Sequence, residues 1–317
     1  MNLKNEIEKF AELNGCIAGI CRADKFDGGV FEMLQNTVTP FVKYSAEQRT
    51  NPKLAMENAE SIIVAGLSYN KKVPSYAGEF SAEALPGSVL RGKFSLSACG
   101  ADYHITVKAL LLNLARHLSR FTTFDYKIFV DTGPLIEREI LYRCGLCWRG
   151  KNFSAVSNDI GSMFNCGYML TNLKFGFPET AQNPQTSEIN SRCGNCRLCV
   201  KACPTGALTE NSFNYEKCVS YLTQKKGSLT EKEESLLGVN LYGCDICQLV
   251  CPYNKGKETG EVTDADEIYP RLRDILALTK KEFTEKYSQS VFYYKGLGIL
   301  KRNAEIALRN LNKSETP

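Results

Sequence analysis

Eight cysteines in two interlocking runs constrain this chain more than any other feature. They read Cys193-x2-Cys196-x2-Cys199-x3-Cys203-Pro204, then Cys218, then Cys244-x2-Cys247-x3-Cys251-Pro252. In the bacterial four-iron spacing, three closely spaced thiolates hold one cube and the cysteine before proline reaches across to the other. The second run is one ligand short, and Cys218 supplies it. Pseudo-symmetry then gives Cys193, Cys196, Cys199 and Cys251 to one [4Fe-4S] cluster, and Cys203, Cys218, Cys244 and Cys247 to a second. Structural zinc also accepts C-x2-C pairs, and disulfides suit small secreted chains. Neither rival explains both cysteine-proline endings.

The remainder must hold more than this electron-transfer region, because the bulk of the 317 residues lies outside it. Domains of about 100 to 200 residues make two the expectation. No apolar run reaches the roughly 20 residues needed to cross a membrane, and Met1 to Glu6 has no signal-peptide core, so a reducing cytoplasm is expected. Net charge is only +4, a weak argument for nucleic acid, although cations pair at Lys225-Lys226, Lys255 with Lys257, Lys280-Lys281 and Lys301-Arg302.

Residues 1 to about 185 read as alternating helices and strands without repeat, and imply a layered domain of mixed α/β or α+β class. Asn2 to Asn14 reads as a first helix, Ile17 to Cys21 as a short strand, and Ser61 to Leu67 as a buried one. Tyr103, Val107, Leu110, Leu114, Leu118 and Phe121 recur at three and four residues, the spacing of one helical face, and are read as core. The strand Tyr126 to Val130 then delivers Asp131, and Thr132-Gly133-Pro134 is expected to open a helix, with Pro134 suited to a first helical position. An acid at the carboxyl end of a strand stands where α/β sheets place ligands. The alternative role is bracing the turn or facing the positive helix start.

Together these segments resemble the epoxyqueuosine reductase family. The resemblance is carried by Asp131-Thr132-Gly133-Pro134 with Glu137-Arg138, Trp148-Arg149-Gly150-Lys151-Asn152, Gly161-Ser162, Arg49 ahead of Asn51-Pro52, Lys217 to Thr223, and Tyr242 to Pro252. It spans nearly the whole chain, whereas a generic two-cluster ferredoxin shares only the cysteines. It implies the last step of queuosine synthesis: reductive removal of the epoxide oxygen from the wobble nucleoside of a tRNA anticodon. It also implies cobalamin without a protein ligand to cobalt, two [4Fe-4S] clusters fed by an external electron donor, and Asp131 as the proton donor. Tyr103 and His104 would then position substrate or relay protons.

Contacts to cobalamin, on the same resemblance, fall on Asp131, Lys151, Asn152, Ser154, Ser162, Ser220, Tyr221, Thr223 and Asp245. The implied organisation is a cobalamin-binding catalytic domain over 1–185, a ferredoxin-like two-cluster domain over 186–258, and a short C-terminal helical segment over 259–317, a truncated repeat region. His104 and His117 are the only histidines. His117 is expected on the helix surface. Four positions depart from the family pattern: Cys99 replaces arginine, Tyr168 replaces glutamate, and Cys144 and Cys147 overlie small apolar residues and are read as buried packing. Cys16, Cys21 and Cys166 are read as core. Lys301, Arg302 and Arg309 on the last helix are candidates to meet phosphates. The alternatives are another cobalamin-dependent reductase of the reductive dehalogenase kind, whose usual twin-arginine signal is missing, and a non-enzymatic two-cluster electron carrier.

Overall fold

Four strands organise the first half of the molecule, in the order Cys16–Arg22, Ser61–Ser68, Phe164–Thr171, Tyr126–Val130, with every neighbouring pair antiparallel. The computed structural model describes residues 2–35, 43–73, 89–177 and 192–313, so the expected boundary at 185/186 lies outside them. Antiparallel pairing makes this an α+β arrangement. The central Ser61–Ser68 strand is a continuous apolar run, and Ile62, Ile63 and Val64 are fully buried, as expected of a strand covered on both faces. Its partner Phe164–Thr171 buries Tyr168, Met169 and Leu170 completely.

Helix Leu3–Leu13 starts on Asn2, whose side chain accepts the Lys4 N–H at 3.0 Å, and ends where Gly15 turns left-handed at φ 59°. It buries Ile7, Phe10 and Ala11. The Tyr103–Leu118 helix buries Val107, Leu110, Leu114 and Leu118 of the stripe expected, and Leu111 and Ala115 beside them. Truncating Leu114 to alanine there would cost about 2–5 kcal/mol. Two members of the expected stripe fall outside it. Phe121 is 38 % exposed because the helix has already ended, and Tyr103 packs against the core of the second unit. His117 is less exposed than expected: its Nε2 lies 3.2 Å from Glu6 Oε2, with the ring between Phe10 and Phe121.

Non-cluster thiols pack as small apolar groups. Cys144 hydrogen-bonds Cys21 from the first strand, and burial pushes the Cys147 thiol up to about 12 and that of Cys16 up to about 11. Protonated thiols of this kind are poor nucleophiles.

The chain divides into two compact units that interleave. One comprises Met1–Ser68, His104–Gly150 and Ser154–Gly194, and the other Tyr69–Tyr103, Lys151–Phe153 and Asn195–Pro317. This differs from the sequential division expected. Residues 69–103 join the cysteine-rich half because Lys93–Phe94 pairs in parallel with Asn240–Tyr242 and Phe94 stacks on Phe292 at 4.7 Å. Leu241, Leu272, Ile275, Phe283, Tyr287, Leu300, Ala304 and Ala307 complete that core, so the C-terminal segment folds with the cluster region rather than apart from it.

Helix Leu297–Lys313 also anchors a loop. The guanidinium of Arg302 donates to the carbonyls of Leu222, Lys225 and Gly227, at 3.3, 2.6 and 2.6 Å. Fully buried Asn303 donates to the carbonyls of Thr223 and Leu241, each at 2.8 Å. Arg309 pairs with Glu234 at 2.8 Å. The phosphate contact expected of Arg302 is therefore corrected: its guanidinium is engaged by loop carbonyls that need donors.

Candidate active site and cluster scaffold

The Tyr126–Val130 strand makes its last ladder pair at Val130 with Gly167, and the next residue leaves the sheet. Asp131 does so at φ 55°, a left-handed conformation uncommon outside glycine but more accessible to aspartate. Its N–H donates to Glu137 Oε1 at 2.6 Å, and the Thr132 N–H turns back to the Val130 carbonyl. Gly133 is obligatory for close packing: a Cβ there would sit 2.6 Å from both Phe129 Cβ and the Tyr168 hydroxyl. Tyr168, a departure from the family pattern, proves to be a brace. Its ring stacks on Phe129 at 5.2 Å and its buried hydroxyl accepts the Leu135 N–H at 3.0 Å. The loop consequently runs to Leu135 before a helix begins at Glu137, with Ile136 as its cap. Pro134 is therefore not the first helical residue; it lies in the bend, where Tyr168 holds the following N–H.

The Asp131 carboxylate is 57 % exposed and its Oδ2 lies 3.6 Å from His104 Nε2, within ion-pair range but longer than a hydrogen bond. Beneath the loop, burial pushes the Glu137 carboxyl up to about 8, helped by the neighbouring Asp131 charge and opposed by the Asp131 N–H, His104 and Arg138. Two carboxyls and an imidazole thus share one corner of the first unit. Glu137 was not expected as a functional residue. Its signal is an acid in the first turn of a helix, six residues beyond a strand-end aspartate.

Other expected contacts are distributed over both units. Ser154 closes a small loop by accepting the Gly150 N–H at 2.9 Å, and Ser162 is buried beside Gly161, whose N–H returns to the Ser157 carbonyl at 3.1 Å. Lys151 and Asn152 belong to the second unit, with Asn152 buried. Tyr103 opens the Tyr103–Leu118 helix immediately before His104 and packs against the core of the second unit. Ser220 and Tyr221 lie on the short helix Val219–Leu222. Thr223 is fully buried: its hydroxyl donates to the Ser220 carbonyl at 2.8 Å and accepts the Gly243 N–H at 3.0 Å. Asp245 is 2 % exposed, and its Oδ2 accepts the Leu96 N–H at 2.7 Å. Burial pushes its carboxyl up to about 6. Cys99 is half-buried, its thiol pushed up to about 12 by burial, in place of the cation the family pattern expects.

Among the described residues no group of three or more His, Cys, Asp or Glu is arranged to hold a single metal ion. The thiols nevertheless share one another's field. Cys247 is raised to about 12, first by burial and then by Cys244, Cys218, Cys199 and Cys203, while Cys218 feels Cys203 and Cys244 feels Cys218. Crowded buried thiols resist ionising unless positive iron sits among them, so this donor set suits a cluster. The helices Leu198–Ala202 and Ile246–Leu249, which carry Cys199 and Cys247, pack against each other.

A family model described as "Epoxyqueuosine reductase QueG, DUF1730" matches residues 49–132, and one described as "4Fe-4S double cluster binding domain" matches 192–254. The curated epoxyqueuosine reductase of Lactococcus garvieae is 34% identical over 324 residues, covering 98% of this chain and 88% of its own. The chain belongs to the epoxyqueuosine reductase family. A family structure with an epoxyqueuosine-modified tRNA-Tyr stem loop superposes at TM-score 0.84 with 31% identity, covering 98% of this chain and 81% of that one. An epoxyqueuosine reductase from Bacillus subtilis, its catalytic aspartate loop swung out of the active site, gives TM-score 0.83 at 30% identity over 99% of this chain and 82% of that one. Membership makes the chain an oxidoreductase with two iron–sulfur clusters. Among the described residues no helix is long and apolar enough to cross a membrane.

Proposed function

We propose that this protein reduces epoxyqueuosine to queuosine at the anticodon wobble position of tRNA, with Asp131 as general acid. The overall change adds two electrons and two protons, breaks both carbon–oxygen bonds of the epoxide and releases the oxygen as water. Bound cobalamin supplies the reducing nucleophile for this chemistry, and the two clusters supply electrons taken from an external one-electron carrier. The observation that carries the reading is the exposed carboxyl of Asp131, turned out of the sheet at a left-handed residue and 3.6 Å from His104, in a chain of this family.

The residues fit a corrinoid held without a protein ligand to cobalt. His117 is tied to Glu6 between two rings, and His104 faces Asp131. Small and backbone groups at Gly150 to Ser154 and Gly161-Ser162 suit close approach to a large flat cofactor. Asp131 delivers a proton to the departing oxygen, and general acid catalysis of this sort contributes about 10²–10⁴-fold. His104, with its Nε2 3.6 Å from Asp131 Oδ2, is the group beside Asp131 from which its proton is restored. Glu137 holds the Asp131 N–H, and so sets where the loop stands. Cys193, Cys196, Cys199 and Cys251 hold one cluster, and Cys203, Cys218, Cys244 and Cys247 the other. Ser220, Tyr221, Thr223 and Asp245, which flank the ligands Cys218 and Cys244, are cofactor contacts in this reading, as are Lys151, Asn152, Ser154 and Ser162, with Tyr103 at the substrate. The first unit carries the catalytic acid, and the second carries the cluster ligands from Cys196 onward, with the C-terminal helices as their support. A cytoplasmic setting suits both the tRNA substrate and fourteen cysteines that form no disulfide among the described residues.

Nucleoside mass spectrometry tests this directly, on epoxyqueuosine-bearing tRNA incubated anaerobically with the reconstituted protein, cobalamin and a strong reductant. Loss of one oxygen that requires added cobalamin is expected. An unchanged nucleoside, with both clusters loaded and cobalamin reduced, would refute the reading.

A further inference from the structure

Tyr293 and Tyr294 are adjacent and have opposite fates. Tyr293 turns inward, stacking on Phe283 at 5.3 Å with its hydroxyl 3.1 Å from Thr284 Oγ1. Tyr294 is 67 % exposed, the most exposed large aromatic among the described residues. Its backbone turn and its hydroxyl are both hydrogen-bonded. Its turn is closed by Lys295 N–H to the Phe292 carbonyl and Gly296 N–H to the Tyr293 carbonyl, each at 3.0 Å, with Gly296 at φ 83°. Its hydroxyl donates to Gln224 Oε1 at 3.3 Å, an oxygen that also accepts from the Tyr242 hydroxyl at 3.3 Å. Gln224 is itself held in place, since Arg302 and Asn303 grip the carbonyls of Leu222, Thr223, Lys225 and Gly227 around it.

The surroundings are cationic. Lys295 Nζ stands 4.7 Å from the Tyr294 ring centroid, and exposed Lys226 follows in the loop that carries Gln224. At its exposure the ring still offers a face to a flat partner. A tethered, solvent-facing aromatic with cations beside it is the arrangement that holds unpaired nucleotides: the ring stacks on a base and the cations meet phosphates. Gln224 lies next to Thr223 in the segment that begins at the ligand Cys218, so the platform adjoins the residues proposed to border the cofactor.

We propose that Tyr294 is a stacking platform for an unpaired base of the tRNA anticodon arm, with Lys226 and Lys295 meeting the neighbouring phosphates. This rests on the tRNA reading above. The test is fluorescence anisotropy of a labelled anticodon stem-loop RNA with the cluster-loaded holoenzyme, comparing Tyr294→Ala and Tyr294→Phe, and repeated with 2-aminopurine in the loop. Tyr294→Ala should weaken binding about 5- to 150-fold, the range for loss of one base–aromatic stack. Tyr294→Phe should stay within about twofold, as for an ordinary surface change. Quenching of 2-aminopurine on binding should vanish only in the alanine variant. Native affinity in Tyr294→Ala, with the unaltered enzyme binding RNA normally, would overturn this inference alone. Equal losses in both variants would assign the effect to the Gln224 tie and also overturn stacking. Failure of the unaltered holoenzyme to bind the RNA would overturn the tRNA reading together with it.

Discussion

Asp131 and Asp245 are both aspartates at the edge of a regular element, and the structure treats them in opposite ways. Asp131 stands more than half exposed on a left-handed residue, its N–H donated to Glu137. Asp245 is almost wholly buried beside the ligand Cys244, with its carboxylate committed to the Leu96 N–H. The first can approach a reacting group; the second holds the Leu96–Ala98 turn against the cysteine scaffold. Exposure joined to backbone strain marks a residue available for chemistry, whereas burial joined to a satisfied hydrogen bond marks architecture.

The contrast can be broken at its extremes first. Cys247→Ser should drop the iron content from about eight to about four per chain and abolish turnover, because one cube loses a ligand; iron and sulfide analysis with electron paramagnetic resonance would reveal it. Asp131→Asn should lower kcat about 10²–10⁴-fold. Its iron content and urea midpoint should stay unchanged, since the side chain is exposed. Asp245→Ala should do the reverse at the level of stability: the stranded Leu96 N–H costs about 1–3 kcal/mol, read as a lower urea midpoint. If Asp131→Asn destabilised the fold as much as Asp245→Ala, the distinction between tool and brace would collapse.

The comparison is sharpened further through pH. Glu137 has its folded pKa raised from 4.5 to about 8, so between those values the folded chain binds more protons than the unfolded chain. Stability from this group is therefore fully present below 4.5 and declines as pH rises towards 8. Glu137→Gln should flatten that decline. Thermal melts at about pH 5 and about pH 8 would show a smaller difference for the variant than for the unaltered protein, and an unchanged difference would remove Glu137 from the account.

Much of the fold was legible because its signals are local. The Tyr126–Val130 strand appears with the expected bounds, and the buried strand beginning at Ser61 and the helix beginning at Leu3 lie within a residue or so of theirs. Alternation of helices and strands could not reveal that every sheet pairing among these four strands is antiparallel, since pairing direction depends on how chain segments return. Pro134 was misplaced for a related reason. Its ring suits a first helical turn, but the Tyr168 hydroxyl, 33 residues from Leu135 in sequence, takes the Leu135 N–H and delays the helix to Glu137.

The sequence by itself determined the eight-cysteine spacing, the aspartate at a strand end and the family signature around them. Such features are set by covalent order, because ligand spacing within a few residues survives any arrangement of the remainder. Only the tertiary structure decided that Glu137 holds the Asp131 loop, that Arg302 grips loop carbonyls instead of meeting phosphate, and that Tyr294 faces solvent while Tyr293 does not. Each of those outcomes depends on which buried donors and acceptors were left to satisfy once the cores had packed, and that remainder exists only in the folded chain.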